Sequence, residues 1–421
     1  MYDTISIMPG VTLHYVRAER FKQGCLSVQF LRPMCMEEAA LNLLLPAVLM
    51  RGTAKRPNMR LITQHQDDLY GSSFLEVCRR TGDYQGVGFL LRFLEDRFAM
   101  DGDQILDPML DFLEEVLLDP MVEDGGFNPE FVSSEKKNLL QSIDSLINDK
   151  RSYANTKMME KMCSADTHGI PRYGSRENVE AVDPVQLYNH FQKVLSESPV
   201  VLFYVGSADP QAVAQKLTSI FAKIPRNPVT LPEQTAFRDG GGGTYTETAD
   251  ITQGKLVVGY VTPITIYDDR FPAMQLFNFI FGGDMTSKLF TSLREQQSLC
   301  YYILCGYYGA KGLVVLDAGI DCDQYDQAMQ EQRYQLELCC NGGITESELV
   351  AAKKAVISSL IGIYDSPGSI ESFETGKIIA GTEYRVDDMI QRIEAVTLEQ
   401  VIEAARTLRP HTTFFLKGVS A

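Results

Sequence analysis

The feature that most constrains this chain is a pattern that occurs twice. Val179-Glu180-Ala181-Val182-Asp183-Pro184-Val185-Gln186 opens a helix that leads to the apolar run Val200-Val201-Leu202-Phe203-Tyr204-Val205 and then Gly206. Ile393-Glu394-Ala395-Val396-Thr397-Leu398-Glu399-Gln400 opens another, leading to Thr413-Phe414-Phe415-Leu416-Lys417 and Gly418. Both starts carry the spacing of a capping box, Asp183-x-x-Gln186 and Thr397-x-x-Gln400, which satisfies the orphan amides of a first turn. The separation is 214 residues (393 minus 179), about half of a chain of 421. The shared order of motif, helix, strand and glycine points to an internal duplication. A chain of this length also exceeds what one core covers, so two domains are expected.

Each half mixes strands and helices without strict alternation. In the first, Val11–Val16 and Cys25–Leu31 alternate with period two, an apolar helix begins near Glu37, and Arg60–Leu69 forms a shorter one. Strands at 73–79 and 86–92 precede a helix over 103–118, and Pro129 opens a long helix. In the second half, strand 255–261 precedes helices over 271–281 and 286–297, then strands 300–308 and 312–319. Thr345-x-x-Glu348 caps a further helix. The expected fold class is α+β: two homologous domains, each a mainly antiparallel sheet with helices packed on one face. Their bounds are 1–224 and 245–421, joined by a linker at 225–244 with Pro225, Pro228, Pro232 and the run Gly240-Gly241-Gly242-Gly243. A glycine run cradles phosphate when Lys-Ser/Thr follows at the start of a helix. Here a strand-like Thr244–Thr248 follows, so a flexible linker is expected.

The helix from Glu37 to Gly52 matters for what it lacks. Its first turn is acidic, favourable at the positive end of the helix dipole, and Gly52 stops it ahead of Lys55-Arg56-Pro57. Helical spacing stacks Leu43 over Ala47, with Pro46 beside them. An H-x-x-E-H zinc hydrolase places two imidazole ligands at such i, i+4 positions and a Glu base between them. Leucine, proline and alanine can neither bind a metal nor move a proton.

Leu43 to Pro57 resembles the motif region of the M16 (insulinase, or mitochondrial-processing-peptidase-like) metallopeptidases. There H-x-x-E-H runs into a hydrophobic pair, a basic residue, Gly-Thr and a downstream Pro. The resemblance puts the two His ligands on Leu43 and Ala47, the base on Pro46, and the third ligand, a Glu on a later helix, on Ser142. Glu135 matches an acidic position seven residues before that ligand. All four metal-site positions are lost together, which resembles a non-catalytic, YmfF-like bacterial branch and implies the LuxS/MPP-like metallohydrolase fold. A second stretch, Phe281-Gly282-Gly283 through Leu293-Arg294-Glu295 to Leu299-Cys300-Tyr301, is similar to another M16 signature. Its Arg and Tyr contact substrate peptide opposite the zinc, and they carry over to Arg294 and Tyr301. Ser298 and Cys300 depart from the small residues usual there, so the strand start is expected to differ. A guanidinium and a phenol can donate to peptide carbonyls without a metal. Equally, an Arg on a helix is commonly a surface residue, and a Tyr among Tyr301, Tyr302, Tyr307 and Tyr308 can simply pack a sheet.

Composition excludes several classes. A formal charge of −16 disfavours nucleic-acid backbones and anionic membranes. No apolar run is long enough to span a bilayer, and no signal peptide is visible. Nine dispersed Cys without a C-x-x-C pair fit reduced thiols in a cytoplasm. The five His (His14, His65, His168, His190, His411) never pair at i, i+3 or i+4, and no cofactor is expected. Glu114-Glu115 and Asp387-Asp388 read as solvated helix faces, and Phe89, Phe93 and Phe98 as core. No Ser or Cys nucleophile has a recognisable His partner. The resemblance thus implies a non-catalytic subunit that supplies peptide contacts and chamber wall to a homologous M16 partner with intact H-x-x-E-H. The alternative is a stand-alone peptide-binding or scaffold protein, a homodimer, without a role in proteolysis.

Overall fold

The structure, a computed structural model, describes residues 2–418. In chain order the first elements are β1 (Asp3–Met8), β2 (Val11–Arg17), β3 (Gln23–Pro33), α1 (Met36–Leu49), α2 (Met59–Asp68), β4 (Ser73–Thr81), β5 (Tyr84–Leu94) and α3 (Leu106–Leu118). A short ribbon of β6 (Val122–Glu123) and β7 (Gly126–Phe127) precedes α4 (Pro129–Ser145), α5 (Lys150–Met162), α6 (Arg176–Ala181), α7 (Pro184–Glu197), β8 (Val200–Gly206) and α8 (Pro210–Phe221). Then come β9 (Gly243–Ala249), β10 (Gly254–Val261), α9 (Phe271–Asn278), β11 (Cys300–Tyr308), β12 (Leu313–Ile320), α10 (Tyr325–Cys340), α11 (Glu346–Gly362), α12 (Pro367–Ala380), α13 (Val386–Ala395), α14 (Leu398–Thr407) and β13 (Arg409–Gly418).

These elements form two compact units. The first holds the chain up to Ile143 with Arg172–Gln234 and Ile363–Gly381; the second holds Asp144–Pro171, Thr235–Gly362 and the chain from Thr382. The sheet of the first runs β1-β2-β8-β3-β5-β4, and that of the second β11-β12-β10-β13-β9. Read from the other end, the second order matches β2-β8-β3-β5-β4 strand for strand. Even the single parallel pair agrees, β2 with β8 and β9 with β13. The duplicated strands β8 and β13 therefore hold one place, between a parallel neighbour and an antiparallel one. Their helix starts agree too. Asp183 accepts from the Gln186 amide at 2.7 Å, and Thr397 and Gln400 close a full capping box.

In the first unit, alternate residues of β3 (Leu26, Val28, Phe30) join α1, α3, α7 and α8 in the main core. The expected sheet with helices on one face is thus present. The second face is covered as well, by a single helix from the distant half of the sequence. Ile370 of α12 packs on Cys25, Val77, Leu90, Phe203 and Val205, and Ile379 on Leu31 and Val201. The buried Glu371 fixes this helix by accepting from Arg79 at 2.9 Å to each oxygen and from Gln29 at 3.3 Å.

The second unit repeats the arrangement with α5. Met158 and Met162 pack on Val257, Leu313, Val315, Phe414 and Leu416, and Arg151 pairs with Asp317. Gly259 of β10 makes the close approach possible, because a Cβ there would lie 2.3 Å from the Met162 sulfur. On its other face Tyr260 is fully buried against Phe281. Pro225–Gly242 forms no regular element, yet it is tied down: Gln234 bonds the Ile379 carbonyl at 3.0 Å, and Arg238 donates its amide to Asp166 at 2.9 Å.

Candidate functional site

The residues that the resemblance names lie in two places, helix α1 with α4 and the turn that precedes β11. In α1, Leu43 and Ala47 are half-buried and Pro46 is buried. Ser142, on α4, donates its hydroxyl to the Asn138 carbonyl at 3.0 Å, a bond within its own helix. Glu135 forms an ion pair with Arg51. Glu76 on β4 lies in the same electrostatic neighbourhood. Loss of hydration raises its pKa, Glu135 adds to the rise, and Arg51 opposes it. At the positions that the resemblance names, Leu43, Pro46 and Ala47 offer hydrocarbon and Ser142 a hydroxyl bonded within its own helix, while nearby Glu135 is paired with a guanidinium, and zinc needs imidazole, thiolate or free carboxylate donors. These residues do not fit the metal.

The rest of the motif does structural work. A Cβ on Gly52 would come within 2.9 Å of the Pro57 backbone and 3.0 Å of the Phe131 ring. Buried Thr53 donates to Glu115, which also pairs with Arg56, so a buried carboxylate on α3 is compensated twice. Glu115 is therefore no solvated acid, contrary to the expectation from its run with Glu114. Beside the motif, Asn42 accepts from His190 at 2.7 Å and donates to Gln85 at 2.8 Å, a fully buried polar chain. Burial lowers the His190 pKa to about 4, so the ring is neutral and gives Asn42 its Nε2 proton. Nothing in the sequence spacing marks Asn42, Gln85 and His190 as a group.

Before β11, the helix expected over 271–281 ends its regular turns at Asn278 and continues as a π-helical turn over Phe279–Gly283. A second π-helical stretch, Phe290–Gln296, carries Arg294. Ser292 bonds Glu331 and Lys288 pairs with Glu348 at 2.7 Å, which holds this stretch in place. Ser298 adopts a left-handed backbone, φ 52°, at the position where the sequence departs from glycine-like residues. The strand start does differ. The ladder pairs Cys300 with Ile320 and Tyr302 with Gly319, leaving Tyr301 as the extra residue of a β-bulge. Tyr301 is consequently 57% exposed, and its hydroxyl donates to Asp321 at 3.1 Å. That carboxylate raises the phenol pKa. Arg294 is exposed, with its guanidinium 4.8 Å from the Phe290 ring centre. It reaches the start of the strand electrostatically: burial pushes the Cys300 thiol up to about 11, and Arg294 pulls it back. Both residues thus face solvent near the start of β11. Among the described residues no hydrogen bond joins them. Asp321, the acceptor of the Tyr301 hydroxyl, carries no signal in the sequence.

Known proteins include relatives of this chain. A family described as Peptidase M16 inactive domain matches residues 181–356. The chain is 30% identical over 409 residues to the "Probable inactive metalloprotease YmfF" of Bacillus subtilis, covering 97% of this chain and 96% of that one. It is 24% identical over 317 residues to an uncharacterized zinc protease of Streptomyces coelicolor, covering 72% and 68%. Among solved structures, a conserved protein from Enterococcus faecalis superimposes with a TM-score of 0.91 at 26% identity, covering 100% and 99%. A peptidase M16 inactive domain from Pseudomonas fluorescens gives 0.83 at 18%, again covering 100% and 99%.

Proposed function

This chain belongs to the M16 metallopeptidase family, and we propose that within it the chain is the non-catalytic subunit of a heterodimeric peptidase. It is a degenerate peptidase homologue rather than an active one, with Leu43, Pro46, Ala47 and Ser142 in place of the catalytic set. In the proposed complex a homologous partner with intact H-x-x-E-H supplies the metal chemistry. This chain supplies chamber wall and two peptide contacts, Arg294 and Tyr301. One observation carries the reading: the metal positions are chemically empty, while Arg294 and the bulged Tyr301 stand exposed near the start of one strand. An exposed guanidinium and phenol can donate to a peptide carbonyl held against them. No helix among the described residues is long and apolar enough to cross a membrane. With nine free cysteines, the proposed location is the cytoplasm.

The test is reconstitution. This chain mixed with its H-x-x-E-H homologue cleaves peptides, and this chain alone does not. Arg294→Ala and Tyr301→Phe each slow cleavage by the complex, on the order of 2–4 kcal/mol if the donor acts on the transition state, with assembly intact. Full activity in the double variant overturns the peptide-contact role. A second reading, a stand-alone scaffold, is favoured by the Tyr301–Asp321 hydrogen bond, which gives the phenol a local structural use.

A further inference from the structure

An open cleft of about 600 Å³ lies within the first unit, between strands β4 and β5 and the first turns of α12. Its two arginines come from the sheet. Arg92 pairs across the ladder with Cys25 on one side and Ser73 on the other, so its side chain shares the face on which Cys25 packs against Ile370. Arg79 stands two residues beyond Val77, another member of that packed face, and lines the same cleft. From α12 come Ser369 and Ser372, both exposed and one turn apart.

The charges in this cleft do not balance. Arg79 gives Nη1 to both oxygens of Glu371, and its Nε and Nη2 have no acceptor among the described residues. Arg92 makes no hydrogen bond or ion pair among the described residues, and its Nη2 is 3.5 Å from where a Cβ on Gly368 would stand. Gly368 belongs to the first turn of α12, which Ser366 caps by accepting from the Ser369 amide at 3.1 Å. The guanidinium thus rests against the positive end of a helix dipole, where a cation is unfavourable. The acids of the segment do not offset it. Glu371 is fully buried and engaged by Arg79 and Gln29, and exposed Asp365 pairs with neither arginine. Both guanidiniums act on one buried neighbour: burial pushes the Cys25 thiol up to about 12 and Glu371 adds to the rise, while Arg92 and Arg79 oppose it.

We propose that this cleft binds a phosphoryl group as its dianion. Donors enter from three elements, guanidinium groups from β4 and β5 and hydroxyls from α12. A carboxylate is planar with two oxygens and leaves one of those sides unmet, whereas a phosphoryl group offers three strong acceptors. Guanidinium forks match phosphate oxygens, and the Ser372 hydroxyl, with no hydrogen bond among the described residues, is free to donate. The volume is that of a small-molecule site, and Phe373 gives it an aromatic wall. The group therefore arrives either as inorganic phosphate or on a small monoester whose body rests on Phe373. The proposal does not depend on the peptide-contact reading above.

The test is calorimetric titration of the full chain with phenyl phosphate, inorganic phosphate and phenylacetate. The wild-type chain binds phenyl phosphate at least tenfold more tightly than phenylacetate. Tighter binding of phenyl phosphate than of inorganic phosphate assigns the site to a monoester, and equal binding assigns it to free phosphate. Arg92→Gln weakens phosphate binding at least tenfold, and Ser372→Asp, which sets a carboxylate in the cleft, abolishes it. Both replaced side chains are exposed and without partners among the described residues, and circular dichroism checks that both variants remain folded. Arg17→Gln, exposed on β2, leaves binding unchanged. Failure of the wild type to bind either phosphate overturns the proposal. So does unchanged affinity in Arg92→Gln or Ser372→Asp, an equal loss in Arg17→Gln, or phenylacetate binding as tightly as phenyl phosphate.

Discussion

The ion pair between Glu371 and Arg79 gives an asymmetric prediction. The Glu371 side chain is fully buried, whereas that of Arg79 is 34% exposed. Removing either partner leaves the other unpaired, but the two survivors differ. In Arg79→Ala the carboxylate stays buried under α12 with Gln29 and Thr375 as its remaining donors. An uncompensated buried charge costs about 3–5 kcal/mol. In Glu371→Gln the guanidinium turns into solvent, the amide oxygen still accepts from Gln29, and the loss is about 1–2 kcal/mol, that of an ordinary hydrogen bond. A chain of two units need not unfold in one step, so the assay is native-state hydrogen exchange, read on β3, β4 and α12 with α5 and β12 as internal control. Arg79→Ala should lower protection of the first set more than Glu371→Gln does and leave the second unchanged. Equal or greater loss in Glu371→Gln would refute the reasoning that burial of the survivor sets the cost.

Three other outcomes are expected. Ser298→Gly should stabilise the chain by about 0.5–1 kcal/mol and raise its melting temperature, because serine is strained in the left-handed region; a lower melting temperature would contradict this. Burial lowers both His14 and His190 to about 4 from 6.5, so the unfolded chain takes up protons first as pH falls. Stability is full above 6.5 and declines between 6.5 and 4, on the order of 3 kcal/mol for His190, and His190→Gln should flatten that slope in a pH series of urea melts. Elemental analysis should find no stoichiometric zinc dependent on the α1 helix, and installing Leu43→His, Pro46→Glu, Ala47→His and Ser142→Glu together should create such dependence.

The sequence revealed what repeats or alternates. The duplicated run ending in Gly206 and Gly418 identified two equivalent strands, and the alternation of β3 assigned Leu26, Val28 and Phe30 to a core. The same alternation concealed the second face. Ser27 and Gln29 point away from that core and look solvent-facing by residue type, yet both are fully buried, in a strand that α12 packs against. Helices α5 and α12 have mixed composition, and long-range partners such as Asp317 and Arg79 define their buried sides. At the candidate site, Arg294 and Tyr301 came from resemblance. The bulge that exposes Tyr301 and the turn at Ser298 were foreshadowed only as a departure from smaller residues.

The exchange of α5 and α12 between halves has a consequence for synthesis. Once Gln234 has emerged from the ribosome, every strand of the first sheet exists, but Ala18, Cys25, Val77, Leu90, Phe203 and Val205 still lack their cover. The covering segment begins at Ile363, 129 residues later (363 minus 234). At about 5–20 residues per second the nascent chain carries that apolar face open for roughly 6–26 seconds. Over that interval the open apolar face is the surface through which neighbouring nascent chains would associate, until α12 closes it.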